Sequence, residues 1–367
     1  MTRWIATALL LCAVFVAARA DEAEPPADKD LGLNIVAAAA FDGSLWVLGA
    51  PRDDHHAGGA LVSFNLVDGA RQLRIAANVI GLQKIGNRLV ALVAESRDRY
   101  SLKEWKAGAF VALPTLPLKR GNRPEIVLPV GNAIGVLATH RLYILHDTAW
   151  QSLPIDDNKP PPPDAFPIES LGPFTEAAGI TPSGHSIYFG TNQGEWGGSL
   201  GRRDLVANKS SAIENRDKAP DGRAIYDSGL DPINAIIGDP VNPDCVIAAV
   251  GLIHFEASGR LLRVCGDTAS IALNKLESSK NDSDQIVYNS EAFFGLVAAK
   301  DGYWAVSNAA VYRVSNSGES QRYILSQFDH WHGLYVSREA PGALVLLTEV
   351  NRRFSVNNGT PLIVPLD

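Results

Sequence analysis

The chain has 367 residues, 46% of them apolar and 20% charged, and its mean hydropathy is +0.00. That composition excludes a disordered polymer, a collagen and a multi-span membrane protein, and it supplies enough hydrophobe for a large core. The formal charge of −7 argues against a nucleic-acid binder, which needs concentrated positive charge to displace counterions.

Residues Met1–Ala20 read as a secretory leader. Arg3 gives a short positive start, Trp4–Ala17 is an almost unbroken apolar run, and Ala18-Arg19-Ala20 is a small-x-small cleavage motif, so cleavage is expected after Ala20. The apolar run is shorter than the ~20 residues a spanning helix needs. Cys12 sits inside that run without the small preceding residue a lipidation site prefers. Residues 21–32 are acidic and Pro-containing, the composition of a disordered lead-in. No later stretch is long and apolar enough to span a bilayer, so an exported, periplasmic or secreted protein is expected, as a monomer.

From residue 33 to the end one hairpin recurs: NIVAAAAFDGSLWVLGA, IGLQKIGNRLVALVAE, IVLPVGNAIGVLATH, EAAGITPSGHSIYFGT, AIIGDPVNPDCVIAAVG, GLVAAKDGYWAVSN and GLYVSREAPGALVLLTE. Each copy is a short apolar strand, a turn and a second, more apolar strand, and the interval is roughly 50 residues, close to that of propeller blades. A third and a fourth strand follow: ALVSFNL and ARQLRI; KAGAF and VALPTL; RLYILHD and WQSLPI; SLGRRDL with no clear successor; LIHFEAS and RLLRVC; AVYRVSN and SQRYIL; RFSVN and PLIVPL. Residues 33–367 therefore read as one all-β domain, a seven-bladed β-propeller of four-stranded antiparallel blades, with six or eight blades as alternatives. Pro160–Pro163 reads as a stiff connection between the third and fourth repeats. Asn208–Arg223 and Asn274–Gln285 read as polar loops.

This pattern resembles the secreted bacterial β-propeller superfamily over about residues 33–367. The resemblance is one of architecture. A sialidase-like turn box survives only in eroded form, at Ser315-Asn316-Ser317-Gly318 and Glu256-Ala257-Ser258-Gly259.

Two cysteines remain after the leader, Cys245 and Cys265. An oxidising compartment favours a bridge between them. The strand assignment opposes it, because LIHFEAS would lie between the cysteine-bearing strands. Two strand spacings come to about 9.6 Å, beyond the roughly 7 Å that a disulfide allows between Cα atoms. A bridge would mean that the strands of the fifth repeat are wrongly assigned.

Strand alternation puts the second-to-third loops and the loops leading into each first strand on one face. Polar residues gather there, whereas the opposite face carries turn residues such as Asp42-Gly43 and Asp301-Gly302. Candidate ligand-binding residues on the polar face are Arg97, Arg99, His140, Arg141, Glu195, Trp196, Asn308, Trp331 and Arg352, with Arg123, Glu176, Asn234 and Glu291 on the lead-in segments. The arginines suit an anionic ligand. Trp196 beside Glu195 suits a sugar ring or another flat ligand, although Trp196 could equally cap a seam between blades. Asp53, His55 and His56 in the first repeat, with Asp329, His330 and His332 leading into the last, offer ligands for zinc or another divalent metal, or a general acid and base. The absence of a nucleophile elbow, P-loop or dinucleotide fingerprint favours a non-enzymatic protein that binds a protein or a glycan. The alternative is a lyase or hydrolase built on the His/Asp set.

Overall fold

The computed structural model describes residues 33–51, 59–65, 70–96, 98–119, 122–139, 141–154, 175–219, 222–254, 256–280, 286–299, 301–324, 334–337, 343–348 and 362–365. Among these residues regular structure is almost entirely β, and neighbouring strands pair antiparallel. The chain divides into two compact units, residues 1–79 with 332–367, and residues 80–331.

The first unit holds β1 (Leu33–Phe41), β2 (Ser44–Pro51), β3 (Gly59–Asn65) and the start of β4 (Arg71–Ile85), in that spatial order. It also holds β28 (Leu334–Ser337), β29 (Ala343–Thr348) and β30 (Leu362–Pro365) of the last repeat, with β28 beside β1. Among the described residues no strand is exchanged between the two sheets of this unit, and each is built from its own stretch of chain. PLIVPL supplies β30 as the neighbour of β29, a third strand rather than the expected fourth; RFSVN lies outside the described residues.

In the second unit, sheets succeed one another in chain order. The last part of β4 leads to β5 (Arg88–Ser96), β6 (Arg99–Lys106) and β7 (Ala109–Ala112). Next come β8 (Pro124–Val130), β9 (Ala133–Ala138), β10 (Arg141–His146) and β11 (Ala149–Pro154), then β12 (Thr175–Ile180), β13 (Ser186–Asn192), β14 (Gly198–Asp204) and β15 (Lys209–Ala212). A small hairpin follows, β16 (Asn215–Lys218) with β17 (Ala224–Tyr226). The fifth repeat is β18 (Ile233–Gly238), β19 (Cys245–His254), β20 (Glu256–Cys265) and β21 (Thr268–Leu273), followed by a second small hairpin, β22 (Leu276–Lys280) with β23 (Ile286–Ser290). The sixth is β24 (Phe293–Ala299), β25 (Gly302–Ser307), β26 (Ala310–Ser315) and β27 (Ser320–Ile324).

The expected hairpins thus fall on adjacent strands in every repeat. Three further assignments need correction. In the second repeat KAGAF spans the turn between β6 and β7, with Ala107 and Gly108 both at positive φ, and the third strand is the preceding RYSLKEWK. The two polar loops carry β15, β16 and β22, the last two being the first strands of the small hairpins, because short polar strands have no apolar alternation to announce them. In the fifth repeat CVIAAVGLIH and EASGRLLRVC are the second and third strands, directly paired, with Cys245 opposite Cys265. The disulfide forms across them, with Cα atoms 4.4 Å apart. That is the close spacing of a non-hydrogen-bonded pair. The Cys245 amide donates instead to the Asn242 carbonyl (3.1 Å), and its carbonyl accepts from the Asp239 amide (3.0 Å).

The core of this unit lies between consecutive sheets. One face of β19, with Val246, Ala248 and Val250, packs on Tyr188 and Leu200 of the fourth repeat. The other face, with Ile247 and Ala249, packs on Phe293, Tyr303 and Tyr312 of the sixth. Burial on both faces explains why the second strands read as continuous apolar runs rather than alternating ones. A β-bulge recurs at one level of the first strand, at Val36, Glu125, Glu176, Asn234 and Phe294. Nothing in residue type announces it, since the five bulged residues share no chemistry.

Candidate functional site

Most of the polar residues expected on the loop face of the second unit are used inside the fold. Asn308 closes its own repeat: its side-chain oxygen accepts the Ala292 amide (2.8 Å) and its amide donates to the Ala292 carbonyl (2.9 Å). Arg141 is folded onto β11, donating to the Ser152 hydroxyl at 2.6 Å. Glu291 is buried and accepts from the Ser307 hydroxyl, the Tyr312 hydroxyl (2.6 Å) and Arg322 (2.8 Å). Asn234 ties three repeats together. Its amide donates to the carbonyls of Gly251 and Phe293, both at 2.8 Å, and its oxygen accepts from Asn192 at 2.6 Å. Arg99 and Glu195 remain exposed. Arg97, His140, Trp331 and Arg352 lie outside the described residues, as does the whole expected metal set, Asp53, His55, His56, Asp329, His330 and His332. Among the described residues no three His, Cys, Asp or Glu side chains group as metal ligands.

This face also exposes large apolar side chains. Trp196 is 77% exposed and Leu230 is 68% exposed. Trp196 therefore does not cap a buried seam. Both residues are carried by loops that are internally bonded. Gly194–Trp196 forms one 3-10 turn between β13 and β14. At its root the Gly194 amide donates to the Asn192 side chain (2.7 Å), and the Gln193 amide donates to the Gly197 carbonyl (2.8 Å). Gly197 has φ +83°, and a Cβ there would stand 2.3 Å from the Gly229 carbonyl oxygen. Only glycine allows this turn to sit against the Leu230 loop.

The Leu230 loop, Asp227-Ser228-Gly229-Leu230-Asp231, is closed by its own aspartates. The Asp227 side chain accepts the Gly229 amide (2.9 Å), while the Asp231 side chain accepts the Asp227 amide (2.8 Å). Asp231 also pairs with Arg260, a buried arginine of β20 that donates to the Ile225 carbonyl at 2.7 Å as well. Burial raises the Asp231 carboxyl above its usual range, against the pull of Arg260.

The third wall is the end of the β19–β20 hairpin, the longest pairing of the unit, whose Leu252 and Ile253 are half-buried. β19 runs beside the Gly194–Trp196 turn. Two internally bonded loops beside the end of the β19–β20 hairpin thus hold an aromatic and a leucine in water. The Gly-Glu-Trp-Gly-Gly run marked this place in the sequence. Leu230 was missed, although a leucine inside Asp-Ser-Gly-Leu-Asp, a turn of otherwise polar residues, was a usable signal.

A second unusual group is Glu125, at the bulge of β8. Burial pushes its carboxyl up to about 7, against a hydrogen bond from Thr139 and the charge of Arg123. Its Oε2 is buried without a hydrogen-bond partner among the described residues.

No family model matches the chain, and no curated protein matches it. Solved structures do. The chain is similar to YCF48 bound to a D1 peptide, with 12% identity and a TM-score of 0.52, covering 92% of this chain and 94% of that one. It is also similar to the extracellular domain of a hybrid two-component system protein from B. thetaiotaomicron, with 12% identity and a TM-score of 0.53, covering 92% of this chain and 39% of that one. This chain thus spans well under half of the second structure. At such identities the likeness shows the fold, a β-propeller architecture of antiparallel sheets.

Proposed function

We propose that this chain is an exported, non-enzymatic propeller of seven blades whose protein partner docks on the surface formed by Trp196, Leu230 and the end of β19. The observation that carries the reading is the 77% exposure of Trp196 on a turn fixed by its own hydrogen bonds and by contact with the Leu230 loop. Leaving a large aromatic in water gives the fold nothing, whereas a pre-ordered aromatic is the commonest centre of a binding interface. A solved neighbour of the same fold carries a bound peptide, which supports the reading by analogy of fold alone. Export is supported by the leader at Met1–Ala20 and by the disulfide, a bond that persists in oxidising compartments.

The test is affinity capture from the source organism with the wild-type chain and with the double variant Trp196→Ser, Leu230→Ser. A specific protein held by the wild type and lost by a variant that melts at the same temperature is the expected result. A partner retained equally by both chains would overturn the assignment of this surface.

A further inference from the structure

We infer that the Cys245–Cys265 bond is a reversible redox site of the folded chain, reduced through the sulfur of Cys265 by a dithiol and resistant to monothiols. The two ends of the bond differ in access. Cys245 is fully buried, whereas Cys265 is partly exposed and leads into the β20–β21 turn, where Asp267 and Thr268 are exposed. Exchange needs an approach to one sulfur, and the approach from solvent is to Cys265.

The cysteines are held in place by contacts that do not involve the bond. β19 and β20 face each other in ten consecutive pairs, from Cys245 with Cys265 to His254 with Glu256, without a shift of register. On its other side Cys265 lies opposite Thr268 of β21. The turn before β19 is fastened as well. The Cys245 carbonyl accepts the Asp239 amide (3.0 Å), and the Asp239 side chain accepts from Arg263 of β20 (2.6 Å). The Pro243 carbonyl accepts the Ser183 amide of the fourth repeat (2.8 Å). Reduction therefore leaves two thiols whose Cα atoms stay close to the present 4.4 Å, well inside the roughly 7 Å that a bridge allows.

That fixed proximity selects the reductant. A thiolate attacks Cys265 Sγ, the S–S bond breaks, and Cys245 leaves with the electron pair and takes up a proton. A monothiol goes no further than this mixed disulfide. Cys245, held beside it, attacks Cys265 Sγ in turn and expels the monothiol, because an oriented neighbour outcompetes a reagent in solution. A dithiol has its own oriented neighbour. Its second thiolate attacks its first sulfur, closes a disulfide within the reagent and releases Cys265 as a thiolate, which takes up a second proton. The chain gains two electrons and two protons, and the dithiol loses them.

The experiment treats the full oxidised chain, without denaturant, with dithiothreitol or with glutathione at equal thiol concentration, then alkylates it and measures its mass. Dithiothreitol should yield two alkylated cysteines while circular dichroism still reports the strands, and its removal into an oxidising buffer should restore the bridge. Glutathione should leave the bond intact. Iodoacetamide should label Cys265 in Cys245→Ala about tenfold or more faster than it labels Cys245 in Cys265→Ala. A bond that yields only in denaturant that unfolds the chain would overturn the inference. So would loss of the strand signal on reduction, reduction by glutathione as readily as by dithiothreitol, or labelling of Cys245 at the rate of Cys265.

Discussion

Glu125 shows what one misplaced-looking residue does in this fold. A carboxyl on an otherwise apolar first strand is held up to about 7 by burial, well above the 4.5 expected in the unfolded chain. The folded state therefore holds the proton more tightly than the unfolded one. Its contribution to stability is complete below about pH 4.5 and is lost as pH rises through about 7. Glu125→Gln keeps the shape and removes the titration. Melting temperatures followed against pH should show the variant and wild type close together at low pH, with the variant more stable above pH 7. Parallel curves across that range would show that the Glu125 carboxyl titrates alike in the folded and unfolded chains. Trp196 is the opposite case, a residue that contributes little to stability because it stays in water. Its partner in position, Gly197, bears the structural demand, since the turn tolerates no Cβ at that point.

Among the elements, the β19–β20 hairpin is the one on which both stability and docking depend. Its disulfide joins the two strands at the end remote from Ile253 and closes a stretch with a sequence separation of 20. By the chain-entropy argument a loop of that length is worth about 3 kcal/mol. Cys245→Ala with Cys265→Ala should lower the unfolding free energy by that order in a denaturant titration. Partner binding at the far end of the hairpin should persist while the chain is folded. An unchanged denaturation midpoint would mean that the bond adds nothing to stability. Asn234 acts at the same scale, because its three hydrogen bonds link β13, β19 and β24 at the level where the first strands bulge. Such a brace, with Asn192 also holding the Trp196 turn, makes the docking surface part of the sheet framework rather than a loose loop.

For the whole molecule, the expected address is the testable property. The exported chain should begin at Asp21, so its intact mass should lack the first 20 residues and two further hydrogens for the bridge. A chain recovered with the leader attached, or with both thiols free, would contradict export through an oxidising compartment. At this scale the repeat was the most legible feature of the sequence. Seven hairpins of similar composition can be read directly, because a second strand buried on both faces must be apolar at every position. Outer strands were legible only where they alternate, which is why KAGAF was misplaced and β15, β16 and β22 were read as loop. The candidate site was half legible: the loop face and Trp196 could be named from alternating strand direction and glycine spacing, but not the fate of its polar residues.

By itself, then, the sequence determined the all-β class, the hairpin repeat and the turns, because each of these follows from local patterning of apolar residues and turn formers. Tertiary structure alone decided the partners. Cys245 meets Cys265 because the strands of the fifth repeat are ten residues long rather than six. Asn308, Arg141 and Glu291 turn inward because hydrogen-bond partners from other strands reach them. Trp196 stays outside because the Gly229–Leu230 backbone occupies the space beneath its turn. Such contacts join residues distant in the chain, and no local pattern of side chains encodes a neighbour that only folding brings near.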